Sequence, residues 1–384
     1  MLSKKHNLVL FMIILILLLL ISVLGYMQYQ QWKNSFSNQL HSSLPNSTRK
    51  ANIESKDFQT SAIIGGIGDI LIHDWLYEDA KTTIGYNFKP MFQPVKSLMQ
   101  NPDFLIANQE SIPGGEKLGI SSYPTFNSPY EIIDAIMDAG VDFVSTANNH
   151  ALDKGETGIL SSISYYEKKD LPYVGTFKDK KDQHTLRIVN VNGIKVAILA
   201  YTYGTNGIPV PKGKEYLVNV IDSDKILNEI KRARSQADLV ILNLHWGIEY
   251  MRTPTKEQKA LAKLLTDGGA DVILGHHPHV LQPIERLHTS DGRNALVIYS
   301  LGNFISGQMW DYKDIGGMID FQVTKNIINN EKNVEINNIH FHPTYVTNQK
   351  FHNYRVHPLK NAYEKGLIDH SYSEMMEHMM NGLK

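Results

Sequence analysis

The sequence predicts an α/β sandwich built on a mixed sheet, and three observations carry that prediction. Nearly continuous apolar runs of strand length alternate with stretches of helical period. Two Gly-containing turns separate alternating apolar runs. Each principal strand runs into a cluster of polar side chains able to bind metal or move protons.

The strand runs are Ala62–Ile67, Asp103–Ala107, Val141–Thr146, Leu239–Leu244 and Asp271–Leu274. Their unbroken apolar character suits strands covered on both faces. Helices are expected between them. Pro129–Ala139 stops at Gly140, Glu156–Lys168 follows a glycine turn, Ser223–Gln236 starts at a Ser cap, and Lys256–Asp267 stops at Gly268-Gly269. Asn192-Gly193 and Asp291-Gly292 mark two hairpins. Alternation plus hairpins gives helices packed on a mixed sheet. After Lys325 the pattern weakens, with one further strand expected at Val334–Phe341. Met375, Met376, Met379 and Met380 fall at helical spacing and read as packing residues.

At 384 residues, 42% hydrophobic and 20% charged, the chain has room for one large domain with an appendage. Its 38 Lys+Arg balance 39 Asp+Glu, so no global charge draws it to nucleic acid and none marks it as disordered. Cysteine is absent, which excludes disulfides, thiolate metal sites and lipid attachment to Cys. The 16 histidines are more informative, because several are clustered.

The N-terminus addresses the compartment. Leu8–Tyr26 carries 19 residues without a charge, about 28 Å as a helix and close to the thickness of a bilayer core. Lys4 and Lys5 precede it, and Lys33 is the only cation in the next twenty residues, so the positive-inside rule puts the bulk of the chain outside the cell. The rival reading is a cleaved signal peptide, with Val23 and Gly25 as a weak small-residue site. The run exceeds the usual apolar region of such peptides and lacks an A-x-A site. The expected organisation is an anchor over 1–27, a Gln/Asn/Ser-rich stalk over 28–60, a domain over 61–325 and a C-terminal extension over 326–384 packing on that domain.

The strand ends carry the chemistry. The first strand ends in Gly68-Asp69, followed by His73 and Asp74. The second ends in Asn108-Gln109-Glu110, and the third in Asn148-Asn149-His150, followed by Asp153. The fourth ends in His245-Trp246-Gly247, and the fifth in Gly275-His276-His277-Pro278-His279. Open α/β sheets build their sites at strand carboxyl ends, where several loops converge. Singly, each cluster has a plain structural reading: a Gly-Asp turn, an Asx turn, a satisfied core histidine. Five together point to a divalent transition metal, Mn, Zn or Fe, with a carboxylate able to bridge two ions.

The segments GGIGDILIHDWLY, ANQES, STANNHALDKGETGI, HWGIEY, GGADVILGHHPHVLQPIE and YSLGNF resemble, in this order, the CapA family of capsule and poly-γ-glutamate biosynthesis proteins, over roughly Ser61 to Val323. The resemblance implies a four-layer αββα sandwich of the metallophosphoesterase (calcineurin-like) type, preceded here by one N-terminal transmembrane helix. It implies metal ligation by Asp69, Glu110, Asn149, His245, His277 and His279, with His150 catalytic at the leaving oxygen. His276 is an alternative to His277, while His73, Asn148 and Asp153 stand behind the ligands. Two departures from the superfamily are visible. No histidine follows Asp69 at the second position, and Asn-Gln-Glu replaces Gly-Asp-x-x-Asp, leaving Glu110 as the bridging carboxylate. The expected partners are the membrane, a capsular polymer or poly-γ-glutamate, and synthase or export subunits, with no nucleic acid. Three activities stay open at this point: a phosphoesterase-like hydrolase, a hydrolase of cell-wall-related substrates, and a non-catalytic polymer-binding or synthase-partner scaffold.

Overall fold

The computed structural model describes residues 20–32 and 57–383. Residues 20–32 form a helix, α1, and belong to a first unit, Met1–Glu54; the second unit is Ser55–Lys384. Among the described residues no helix is long and apolar enough to cross a membrane. Most of the expected span Leu8–Tyr26 and of the stalk lies outside the described residues.

In the second unit fourteen strands matter for the site. They are β1 Phe58–Leu71, β2 Phe104–Gln109, β3 Phe143–Ser145, β4 Tyr173–Val174, β5 Arg187–Val191, β6 Ile194–Thr202, β7 Leu239–His245, β8 Val272–His276, β9 Leu281–His288, β10 Asn294–Leu301, β11 Asn303–Ser306, β12 Ile315–Ile328, β13 Glu331–Gln349 and β14 His352–Pro358. The first sheet runs β14-β13-β12-β1-β2-β3-β4, with β11 also paired to β1; the second runs β9-β10-β8-β7-β6-β5. Strands β1 to β4 are mutually parallel, as are β6, β7, β8 and β10, so both sheets deliver strand carboxyl ends to one edge.

The continuous apolar runs are explained by three apolar layers. In β7, Leu239 and Ile241 face the first sheet, packing with Ile64, Phe104 and Phe321, while Val240 and Leu242 face helices α4 (Ser223–Arg234) and α5 (Lys256–Asp267). On the outer face of the first sheet, Ile67, Leu105 and Val144 pack on Ile132 and Ile136 of α2 (Glu131–Ala139) and Ile159 of α3 (Gly155–Lys168). Each such side chain contributes about 1.5–3 kcal/mol on burial. The order helix, sheet, sheet, helix is the four-layer αββα arrangement.

Helix ends follow local chemistry. Thr255 and Gln258 form a capping box on α5. Helix α4 is capped by Asp222, one residue before the expected Ser223, because the Asp222 carboxylate accepts from the Lys225 amide. Both hairpins form, β5–β6 around Asn192-Gly193 and β9–β10 around Asp291-Gly292. Strand β12 runs through Lys325, and β13 and β14 continue the same sheet, so much of the segment 326–384 is part of the sandwich. Met375 and Met379 are buried on α6 (Tyr372–Met380).

At the opposite edge from the site, one device recurs four times. Asp103, Asp142, Asp238 and Asp271 each stand just before or at the first turn into a parallel strand. Each donates its amide to the carbonyl of a residue on the neighbouring strand: Ile63, Leu105, Lys195 and Val240. Each carboxylate also accepts the amide of that same residue, at 2.8–2.9 Å. Asp238 additionally meets Lys325 at 2.8 Å and Lys332 at 2.9 Å, tying the second sheet to the first. Burial pushes its pKa up, but Lys325, the Lys195 amide and Lys332 bring it down to about 2. A lowered carboxylate pKa stabilises the fold above the unfolded value of 3.8 and loses that contribution as pH falls toward 2. Asp238→Asn is therefore expected to cost about 1–2 kcal/mol at pH 7. Urea melts at several pH values should show the gap constant above pH 5 and shrinking below pH 4; a gap independent of pH would contradict this.

The two sheets meet where the chain passes from β10 into β11. Gly302 makes that crossing with φ 62°, and its carbonyl accepts the Asp69 amide at 2.8 Å. A Cβ on Gly68 would lie 2.1 Å from that carbonyl oxygen, so only glycine lets β1 approach this closely. The motif SLGNF is thus the hinge between sheets.

Candidate metal centre

Asp69 ends the straight part of β1 at a register shift and is fully buried. Asn108 Nδ2 donates to its Oδ1 at 2.8 Å, and the His277 amide donates to its Oδ2 at 3.3 Å. His276 Nδ1 lies 3.3 Å from Oδ1 and His279 Nδ1 3.4 Å from Oδ2. Burial alone would raise the Asp69 pKa, but His276 and His279 hold it well below the usual range. Glu110, from the end of β2, is likewise 0% exposed. Its Oε1 is 3.6 Å from His245 Nε2 and 3.7 Å from His279 Nε2. Neither Glu110 oxygen has a hydrogen-bond partner, and burial pushes its pKa well up, with Asp69 and Glu249 adding to the effect.

Among the described residues, three groups of side chains bring one ligand atom each within 4.8 Å of one another: Asp69, Glu110 and His279; Glu110, His245 and His277; and Glu249, His277 and His279. Glu110 is common to the first two. A carboxylate buried with both oxygens unpartnered is costly unless a cation satisfies it, and carboxylate plus imidazole donors suit Mn, Zn or Fe. The residues present fit a divalent ion. Burial disfavours a charged His279, yet Glu110 and Asp69 raise its pKa to about 9, so the surroundings draw positive charge to this point. Burial and His277 lower His245, and burial and His279 lower His277 to about 3, keeping both imidazoles neutral and ligand-competent.

Asn149 Oδ1 lies 2.8 Å from His245 Nε2, so the Asn-His loop after β3 reaches the second group. His150 is held by Asp153, Nδ1 to Oδ2 at 2.7 Å; the same carboxylate oxygen accepts the Phe126 amide, and Phe126 packs edge-on against the imidazole at 4.7 Å. Asn148 serves the loop, donating to the Gln109 carbonyl and accepting the His150 amide. His73 accepts the Gly307 amide at 3.2 Å and packs on Phe126; burial lowers its pKa to about 4. His276 touches Asp69 and belongs to none of the three groups.

Several contributors were not singled out in the sequence. Asn303 Oδ1 lies 3.0 Å from His279 Nδ1, fixing that ring from the SLGNF hinge. Asn206 Oδ1 accepts from Asn149 at 3.2 Å, and the Tyr203 ring lies 4.5 Å from that of His277. Both follow β6, whose sequence VAILAYT also runs into a polar cluster, YGTN; the strand-end rule extends to it. Glu249 lies in the exposed half of HWGIEY, between exposed Ile248 and Tyr250.

A buried carboxylate–imidazole cluster at the junction of two parallel strand sets defines an α/β sandwich protein with a candidate metal centre. The chain belongs to the bacterial capsule synthesis protein family PGA_cap, whose family model matches residues 64–308. Over 200 residues it is 34% identical to the capsule biosynthesis protein CapA of Bacillus anthracis, covering 51% of this chain and 47% of that one. Over 264 residues it is 28% identical to the PGA biosynthesis protein CapA of Bacillus subtilis, covering 68% and 67%. A probable polyglutamine synthesis accessory protein of Mycobacterium tuberculosis is 24% identical over 187 residues, covering 46% and 47%. The matches thus span about half the length of two of these relatives. Among solved structures, the NAD nucleotidase of Haemophilus influenzae aligns with 80% of this chain and 55% of its own at TM-score 0.46 and 14% identity. A calcineurin-like phosphoesterase of Bacillus subtilis aligns with 74% and 91% at 0.45 and 19%. The fold described above rests on its own strands and layers.

Proposed function

We propose that this chain is a metal-dependent hydrolase of phosphoesterase type, anchored in the cell membrane with its bulk outside, that serves assembly or export of a capsular polymer such as poly-γ-glutamate. The observation that carries the hydrolytic part is the convergence of Asp69, Glu110, His245, His277 and His279 on one buried spot, with both Glu110 oxygens unpartnered. Family membership and the names of the relatives support the capsule role. The uncharged run Leu8–Tyr26 behind Lys4 and Lys5 supports the anchor, which would keep the domain beside synthase and export subunits.

Asp69, Glu110, Asn149, His245, His277 and His279 would hold the ion or ions. Bound there, a divalent ion supplies Lewis acidity at a phosphoryl or carbonyl oxygen and makes water acidic enough to react near neutral pH. The remaining work belongs to the chain. Asp153 fixes the His150 ring through Nδ1, which leaves Nε2 to carry a proton to the leaving oxygen. Asn303 orients His279, and Tyr203 covers one side of His277.

A second reading, a polymer-binding scaffold without turnover, is favoured by the word accessory in the name of the Mycobacterium relative. Metal analysis of the full-length chain, combined with hydrolysis of a generic phosphodiester before and after chelation, separates the two. The hydrolase reading expects about one or two bound ions per chain and turnover that chelation abolishes. Metal without turnover would leave the scaffold, and no metal would remove the site itself.

A further inference from the structure

Glu249 lies outside the set of ligands expected from the sequence, on the exposed loop after β7. One of its carboxylate oxygens is nevertheless within 4.8 Å of ring nitrogens of both His277 and His279. The two histidines are 3% and 2% exposed, and His277 Nδ1 is buried without a hydrogen-bond partner. The backbone is arranged to bring these groups together. His277 has φ 97°, His279 φ 59° and Tyr250 φ 66°, strained conformations that non-glycine residues keep only where their surroundings enforce them. The Tyr250 amide donates to the Pro278 carbonyl at 2.7 Å, so the residue after Glu249 is pinned to the residue between the two histidines.

The three ligand groups then acquire a direction. Glu110 reaches His245, His277 and His279 from the buried side, and Glu249 reaches His277 and His279 from the solvent side. A solvent-side carboxylate across from a buried one occupies the face by which an anion would approach. We propose that Glu249 is an outer, displaceable ligand of the metal centre, closing it over His277 and His279 until an anionic substrate group takes its place. This rests on the reading of the site as a metal centre. It narrows the substrate class to molecules presenting an anionic oxygen, phosphoryl or carboxylate, that can compete with a side-chain carboxylate.

The test uses the full-length chain, the variant Glu249→Gln, and Glu335→Gln, at an exposed position on β13, as a control. Manganese binding is measured by titration calorimetry, and inorganic phosphate binding is then measured at saturating manganese. Glu249→Gln is expected to weaken the weaker manganese step by about tenfold or more, within the range seen when support for a metal is removed. Phosphate should bind several-fold more tightly, because its competitor is gone; a damaged fold cannot produce that gain. Unchanged manganese affinity, or phosphate binding weakened along with the metal, overturns the proposal while leaving the metal centre standing. A wild-type chain that binds no manganese, zinc or iron overturns both.

Discussion

Changing His277 and His279 together to alanine is expected to strip the chain of its transition metal while the sandwich stays folded. Every ligand group contains one of the two: His277 joins Glu110 and His245, His279 joins Asp69 and Glu110, and both join Glu249. Among the described residues no group of three survives the double change, so bound metal should fall from stoichiometric to background by elemental analysis. The fold should persist because the loop is held by backbone contacts, the Tyr250 amide to the Pro278 carbonyl and the Trp246 amide to the His276 carbonyl, and because β8 is paired along its length. Lost packing and the poorer environment of Asp69 should cost about 1–3 kcal/mol. Far-UV circular dichroism of the double variant should match the parent. Full metal content in a folded double variant would refute the assignment.

His150→Ala is the second large effect, and it acts on turnover. The ring is 5% exposed and held through Nδ1 by Asp153, so alanine removes the proton carrier but none of the residues in the three ligand groups. Hydrolysis should drop by about 10²–10⁴, the usual worth of a positioned general acid, with metal content unchanged. In cells carrying only this variant, polymer yield should fall at normal protein level. Normal yield would deny His150 a catalytic role and leave the scaffold reading. Asp153→Asn probes the same unit: it keeps the imidazole but alters what fixes its tautomer, so its loss should be smaller and should change the pH profile.

The legible part of this molecule is the part buried on both faces. Val240, Ile241 and Leu242 read as an unbroken apolar run because alternate residues serve different layers, and the same holds for Val272–Leu274. The strand-end clusters were legible for a related reason: a polar group directly after such a run has to be satisfied by something. Of β12, β13 and β14, only the part of β13 over Val334–Phe341 was expected. Stretches such as His352–Pro358 mix His, Asn and Arg with isolated Tyr and Val, and give no strong period. Stacking of one sheet on the other was likewise invisible in any single run, and entered only through the family resemblance. Glu249, Asn206 and Tyr203 escaped because exposed loop residues carry no burial signature, and their roles depend on pairing with residues far along the chain. Asn303 stood inside a quoted motif, but its task became visible only once Gly302 was seen to pass the chain between the sheets.

The place of β1 has a consequence in time. It is the first strand of the sandwich to be made, yet it lies between β2 and β12, with Phe58 opposite Ile327 and Ile67 opposite Met318. A chain emerging from its N-terminus can pair β1 with β2 early, but the other edge waits for most of the remaining polypeptide. Over that interval an apolar strand edge is open to neighbouring chains. The second sheet, made of consecutive segments from Arg187 to Leu301, needs no such wait. Closure of the first sheet is therefore a late, long-range step of the slow kind. Asp69 is finally seated against the Gly302 carbonyl near that closing seam, so the candidate metal centre is among the last parts of a newly made chain to be assembled.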